Sequence, residues 1–387
     1  MRKLCPGYFA TKHQARAIEF FNKKEYESAI LEYTEAVRLK PKNPAFLTLR
    51  ALAYLGKNEY DLALQDCNES LQLDPDQIVA LQTRGKIYAT QKEYDLAIGS
   101  YDKALQLNAL SVEAFMRRGM AYADKRDYDR AIREYDDALF IWQKTQKPGE
   151  AASPDFVAAR IFRLRGMAHG SKSKYDRALQ DYEESIRLYL KSPKSFFLRG
   201  IAFHMKAQFD HAISACDEAI RLDPDFGIAY RIRGQAYWGG GNPAAASKDF
   251  LHYLSLNTLD AYGVLWLHLV REKLTPGSHN NDELATNAAK LDQSKWPFHL
   301  ISFYLGQISA NQLRAIAARD DTPATSTFST PQEREAETAF YLGEAALFRG
   351  DLAEAISLLS LAANCDFNYF EKPQAAAELE RIDAQRP

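Results

Sequence analysis

The sequence predicts an all-α protein built as a tandem array of antiparallel helix pairs. Three observations predict it. Arginine recurs at 16, 50, 84 and 118 and again at 165, 199 and 233, with a 34-residue step throughout each run. When the first unit starts at Ala10, each arginine is position seven and position eight is always small: Ala17, Ala51, Gly85, Gly119, Gly166, Gly200 and Gly234. Position 20 is alanine in every unit, at Ala29, Ala63, Ala97, Ala131, Ala178, Ala212 and Ala246. A fixed period of this length marks one supersecondary unit copied along the chain. Two small positions twelve residues apart let two helices approach closely across a short turn.

The elements follow in order. Residues 1–9 form an N-terminal extension, and units one to four occupy 10–143. The second helix of a unit stops at Lys40-Pro41, Asp74-Pro75 and Asp223-Pro224, since the residue before proline avoids helical geometry. A step of 47 residues from Arg118 to Arg165 marks an insertion at 144–158, containing Pro148-Gly149 and Ser153-Pro154, and Leu139-Phe140-Ile141-Trp142 lengthens the helix before it. A surface bulge is expected there, with a hinge as the alternative. Units five to seven cover 159–260, the last loosened by Gly239-Gly240-Gly241-Asn242-Pro243. Helical periodicity without the repeat continues as a junction through 261–335, broken by Thr275–Asn281 and Asp320–Pro331. An eighth copy at 336–369 keeps Gly343 and Ala355 but has Leu342 for the arginine, and 370–387 is a C-terminal helix and tail. Positions 11, 17 and 24 are aromatic in most units and hold 13 of the 21 tyrosines, so the aromatic content is framework packing.

Dividing 387 residues by a typical domain size suggests two or three domains, but the repeat predicts one nearest-neighbour array instead. Forty-nine basic against 51 acidic residues leave a net charge of -2, which predicts neither a nucleic-acid surface nor a basic partner. Cysteines at 5, 67, 216 and 365 form no short-spaced pair and are expected as reduced thiols, Cys67 and Cys216 filling the apolar position 24. Lys12, His13, Arg16 and Glu19 interrupt any signal-peptide core, and no apolar run reaches the roughly 18 residues of a membrane span. A cytoplasmic location without membrane insertion is the expectation.

The 34-residue period, the small residues at eight, 20 and 27 and proline at 32 resemble the tetratricopeptide repeat (TPR) pattern over residues 10–258. Ala109, Gln143, Leu190 and Thr258 depart from it at the proline. The resemblance implies a right-handed helical solenoid that binds protein or peptide segments in a concave groove. Farther on, Leu265-Trp266-Leu267, Lys273-Leu274, Trp296, Phe303-Tyr304-Leu305-Gly306, Phe340-Tyr341-Leu342-Gly343 and Gly350-Asp351-Leu352 resemble the C-terminal half of NlpI-type bacterial lipoproteins over 261–371. That likeness implies an adaptor that presents cell-wall hydrolases to a protease. It does not carry the compartment, because Cys5 has no apolar run before it.

Family geometry places positions 2, 5, 9, 12 and 13 on the groove. Met116, Met120, Met167 and Met205, all the internal methionines, fall on these positions, with Arg163, Phe197, Ile201, His204, Arg231 and Trp238 beside them. Flexible, polarizable thioethers suit adaptable binding surfaces, so a partner segment is expected on units four to seven. No asparagine stands at position nine and only Lys86 is basic there, which disfavours a clamp for a chaperone's terminal carboxylate. Position 23 is acidic in Glu32, Asp66, Glu134, Asp181 and Asp249, so the position-seven arginines are expected to pair with it and fix register.

No catalytic residue, cofactor or metal ligand set is expected. His204 and His211 are assigned to different helices, and Gly239-Gly240-Gly241 lacks the GK[ST] of a phosphate loop. Two alternatives are carried forward. One is a regulatory subunit docking, or homodimerising, through exposed Trp266, Trp296 and Phe303; the other is an enzyme with a site near His252, His268 and His299.

Overall fold

The computed structural model describes residues 6–145, 155–277, 280–319, 330–365 and 371–385. Among them every regular element is helical. The pairs run α1 (Pro6–Asn22) with α2 (Tyr26–Leu39), α3 (Pro44–Gly56) with α4 (Tyr60–Leu73), α5 (Ile78–Thr90) with α6 (Tyr94–Leu107), and α7 (Val112–Asp124) with α8 (Tyr128–Thr145). They continue with α9 (Phe156–Ser171), α10 (Tyr175–Leu188), α11 (Pro193–Met205) with α12 (Phe209–Leu222), and α13 (Gly227–Gly239) with α14 (Pro243–Leu256). Then come α15 (Ala261–Leu274), α16 (Asn280–Ala288), α17 (Phe298–Tyr304), α18 (Ala310–Ala317), α19 (Pro331–Phe348) with α20 (Leu352–Ala363), and α21 (Lys372–Ala384).

Each tight turn is made the same way. Position 15 takes left-handed φ at Lys24, Asn58, Lys92, Arg126, Ser173, Ala207, Gly241 and Gly350. The next N–H then reaches back to the carbonyl of position 11, as in Glu59 to Tyr54, Asp127 to Tyr122 and Gln208 to Phe203. This closes the first helix with a left-handed residue and a six-to-one hydrogen bond. First helices start on side-chain caps where the sequence supplies them: Asn43, Ser111, Asp155, Ser192 and Asp260 each accept from a backbone N–H two or three residues on.

The small residue at position eight packs against position 24 of the partner helix. A Cβ on Gly119 would stand 2.7 Å from Tyr135 Cε1, and one on Gly200 would stand 2.8 Å from Cys216 Sγ. Close approach explains the run of small residues. Consecutive first helices also touch, α3 with α5, α5 with α7 and α7 with α9, and separately α11 with α13 and α13 with α15. These helices therefore form the inner wall.

The chain forms two compact units, residues 1–172 and 173–387, divided at the turn of the fifth repeat. In the first, α8 runs to Thr145 and α9 starts at Phe156, while the inserted residues 146–154 lie outside the described residues. Helices α8 and α9 nevertheless pack like any consecutive pair. In the second unit the core is centred on Trp266, whose ring lies 5.8 Å from Trp238 and from Phe250 and 5.7 Å from Phe340. Leu265, Leu269, Leu300, Ile301, Tyr341 and Leu359 complete it. Trp266 is fully buried, which corrects its expected exposure; Trp296 and Phe303 are half-buried.

Candidate binding surfaces

Two ladders of ion pairs tie neighbouring repeats together before any partner is considered. Arg50 grips Asp66 with two bonds of 2.7 Å, Arg118 reaches Glu134 at 2.8 Å, and Arg233 reaches Asp249 at 2.6 Å, as expected of positions seven and 23. The same guanidinium groups also hold position 25 of the preceding repeat: Arg118 to Asp102 at 2.5 Å, Arg165 to Asp136 at 2.5 Å and Arg233 to Asp217 at 2.6 Å. A second ladder joins position 14 to position 18 of the repeat before, in Lys57 to Glu27 at 2.9 Å, Lys125 to Asp95 at 2.6 Å, Lys172 to Asp129 and Lys206 to Asp176. Arg84 bonds the neutral Ser100 and Asn68 instead of acids, and Arg199 departs further. Its position-23 neighbour is Ala215, its Nε has no hydrogen-bond partner, it stacks 5.2 Å over Phe196, and burial lowers its pKa.

On the inner wall of the first unit the expected residues separate by depth. Met116 is only 1% exposed, packed inside the helix pair, so it is corrected from a groove contact to a core residue. Met120 and Arg163 are half-buried, and Met167 is 44% exposed. To Lys86, which the sequence already places on the groove at position nine, the structure adds Arg117 and Arg160. Arg160, at position two of the fifth repeat, places Nη2 3.8 Å from Met120 Sδ. Lys86 on α5 is exposed, and its pKa is lowered first by partial desolvation and then by Arg117 and Arg160, with Glu113 opposing. Arg117 is paired with Glu113 at 2.5 Å. Position two belongs to the groove set and was the signal that could have named Arg160. Asp124, also on this wall, has its carboxyl raised by desolvation.

On the inner wall of the second unit, Phe197, Ile201, Met205 and Arg231 are half-buried. Phe197 leans edge-on against Phe226 at 5.1 Å, and Arg231 lies 3.8 Å from Asp260 and over the Tyr253 ring. His204 and Trp238 are 0% and 1% exposed, because α21 lies across them. Gln374 Nε2 meets His204 Nε2 at 2.7 Å, and Arg381 Nη2 donates to the Trp238 carbonyl at 2.9 Å and to that of Gly239. Both residues are therefore corrected from open groove positions to covered ones.

The second unit also buries four glutamates on α19 and around α21: Glu337, Glu344, Glu371 and Glu378. Glu337 accepts from Trp296 Nε1 at 2.7 Å, Tyr341 donates to Glu371 at 3.4 Å, and Lys273 and Arg381 each hold Glu378 at 2.5 Å. Burial pushes Glu337 up to about 8, with Glu371 adding repulsion, and pushes Glu344 up to about 8, with Glu378 adding repulsion.

His252, His268 and His299 do not converge: each packs on its own aromatic, Tyr230 at 4.2 Å, Tyr304 at 5.0 Å and Trp296 at 5.9 Å. Among the described residues no group of three His, Cys, Asp or Glu side chains is placed to hold a metal. Cys67 and Cys216 are fully buried at position 24, and desolvation pushes both thiols up to about 12. No described helix is long and apolar enough to cross a membrane.

The tetratricopeptide repeat family model matches residues 15–78, 83–151, 163–225 and 206–255, more than half of the chain. The chain belongs to the tetratricopeptide repeat family. Among solved structures it is similar to a tetratricopeptide repeat protein from Parabacteroides merdae, at 19% identity and TM-score 0.52 over 68% of this chain and 99% of that one. It is also similar to PilF of Pseudomonas aeruginosa, at 16% identity and TM-score 0.46 over 63% of this chain and 96% of that one. A third is YrrB, described as a TPR protein with an unusual peptide-binding site, at 18% identity and TM-score 0.39 over 51% of this chain and 95% of that one. At these identities the likeness concerns the fold alone.

Proposed function

We propose that the chain is a non-enzymatic scaffold that captures an extended or helical segment of a partner protein on the inner wall of its first unit. One observation supports it above the others: Lys86, Arg117 and Arg160, from three consecutive first helices, lie within electrostatic reach of one another, Arg160 touches Met120, and Met167 is exposed on the last of these helices, with Glu113 paired to Arg117. A partner segment carrying carboxylates next to apolar side chains complements that wall, the cations orienting it and the thioethers adapting to its shape. The global charge of -2 supplies no long-range field, so selection rests on this local cluster. Membership of a family that generally mediates protein–protein interactions supports the same reading.

The test uses labelled peptides alternating Glu and Leu against Lys and Leu. The acidic set is expected to bind, with affinity falling at least tenfold in Lys86→Glu/Arg160→Glu and in Met120→Glu/Met167→Glu while the helical circular dichroism signal is unchanged. Equal binding of both sets, or indifference to both double variants, would overturn the reading. The likeness of residues 261–371 to NlpI-type lipoproteins favours a narrower version, an adaptor for a protease or hydrolase. In that version the half-buried Trp296 and Phe303 serve a second contact, a homodimer included, which sedimentation at varied concentration reads directly.

A further inference from the structure

The inner wall of the second unit is occupied by this chain's own C-terminal helix, and the contact is built unlike the surrounding core. The residues that α21 buries are mostly small or polar: Pro373, Gln374, Ala375, Ala377 and Glu378, with Ile382 at the far end. Its hydrogen bonds to α11, α13 and α15 run from Gln374 to His204, Arg381 to the carbonyls that end α13, and Glu378 to Lys273, while Ala375, Ile382 and the partly buried Leu379 join the apolar core and the helix also packs on α20. Beneath and beside it, Trp238 Nε1, Gln374 Oε1 and both carboxylate oxygens of Glu344 are buried without a hydrogen-bond partner. Small side chains gain little from burial, whereas each unpaired polar atom forfeits its hydration. Elsewhere in the unit, Trp266, Phe250, Phe340 and Leu359 seal their contacts with large apolar groups.

We propose that α21 is a releasable cover, and that the wall formed by α11 and α13 is a recognition surface for an α-helix presenting an amide, a carboxylate and an arginine at the spacing of Gln374, Glu378 and Arg381. An arginine in that place satisfies carbonyls at the C-terminus of α13 and complements the negative end of its dipole, a demand any competing helix must meet. A partner helix with the same polar triad and larger apolar residues in place of Ala375 and Ala377 displaces α21. The surface is separate from the first unit's cationic wall, so neither reading depends on the other.

Hydrogen exchange on the full chain, combined with a labelled peptide of residues 371–385, tests it. Amides of α21 are expected to exchange at least tenfold faster than those of α19 and α20. Arg381→Glu, or the milder Gln374→Ala, is expected to speed α21 further, leave α13 to α20 protected, and admit the peptide saturably at one per chain. The peptide carrying Arg381→Glu should bind at least tenfold more weakly. Exchange of α21 in step with α19 in the wild type, loss of protection through α13 to α20 in both variants, or release of α21 without peptide binding would each overturn the proposal. The acidic-peptide assay on the first unit stays informative in every case.

Discussion

At the scale of single residues, the positions that the repeat constrains most are those where chemistry leaves no choice. Gly119 is small because Tyr135 fills the space beside it, with a Cβ there only 2.7 Å from the ring. Gly119→Ala should therefore destabilise the first unit by about 1–3 kcal/mol, the usual penalty for overpacking, read as a lower urea midpoint. Position 15 shows the converse. Ala207 holds φ 56°, a left-handed conformation that costs an L-residue roughly 1–2 kcal/mol. Ala207→Gly should raise the second unit's stability by about 1 kcal/mol, and an unchanged midpoint would refute that account. The two positions were unequally legible. Glycine or alanine at eight stands out in the sequence, but at position 15 only Asn58, Gly241 and Gly350 advertise a left-handed turn, while Lys24, Lys92, Arg126, Ser173 and Ala207 carry no such signature. Depth was also hidden: periodicity placed Met116 and Met120 on one face, yet one is core and the other half-buried.

At the scale of elements, the position-seven arginine is a bracket between repeats. Arg118 joins α7 to α8 through Glu134 and to α6 through Asp102, and Glu134 is held inside a partly desolvated site that raises its carboxyl against the pull of Arg118. Arg118→Ala leaves that carboxylate unpaired and should cost about 2 kcal/mol, within the range for hydrogen bonds to charged groups. Arg199→Ala, where Ala215 offers no acid, should cost less than half as much. Equal losses in the two variants, by urea titration, would show that the ladder contributes packing alone. Lys125→Met should change stability by less than about 1 kcal/mol, since its partner Asp95 is largely in solvent. The acid at position 23 was readable because it recurs within one repeat. Position 25 and the Lys ladder were not, because both reach into the preceding repeat and the position-25 partners alternate among Thr34, Asn68, Asp102, Asp136 and Asp217. The cover formed by α21 was further from reach, its contacts lying up to 170 residues away in sequence.

At the scale of the whole molecule, the two units should respond differently to pH. Glu337 and Glu344 are pushed up to about 8 in the folded second unit, against an ordinary glutamate value of 4.5. The folded state thus binds these protons more tightly than the unfolded one. Their contribution is fully present below about pH 4.5 and is lost as pH rises toward 8, with a limiting slope of about 1.4 kcal/mol per pH unit for each group. Three of the four tryptophans, Trp238, Trp266 and Trp296, lie in this unit, so fluorescence-detected denaturation of a Trp142→Phe background isolates it. The midpoint is expected to fall between pH 5 and pH 8, and Glu344→Gln to flatten that fall; a rise with pH would contradict the assignment. The step from the fourth to the fifth repeat has a different consequence. Arg165 still reaches Asp136 and Lys172 still reaches Asp129 despite the thirteen extra residues between their repeats. Stacking there is set by side chains on α8 and α9 and is indifferent to the length of chain joining them. That joint is accordingly a natural splice point, where a fluorescent reporter or an affinity tag can be grafted into the middle of the chain without disturbing the register on either side.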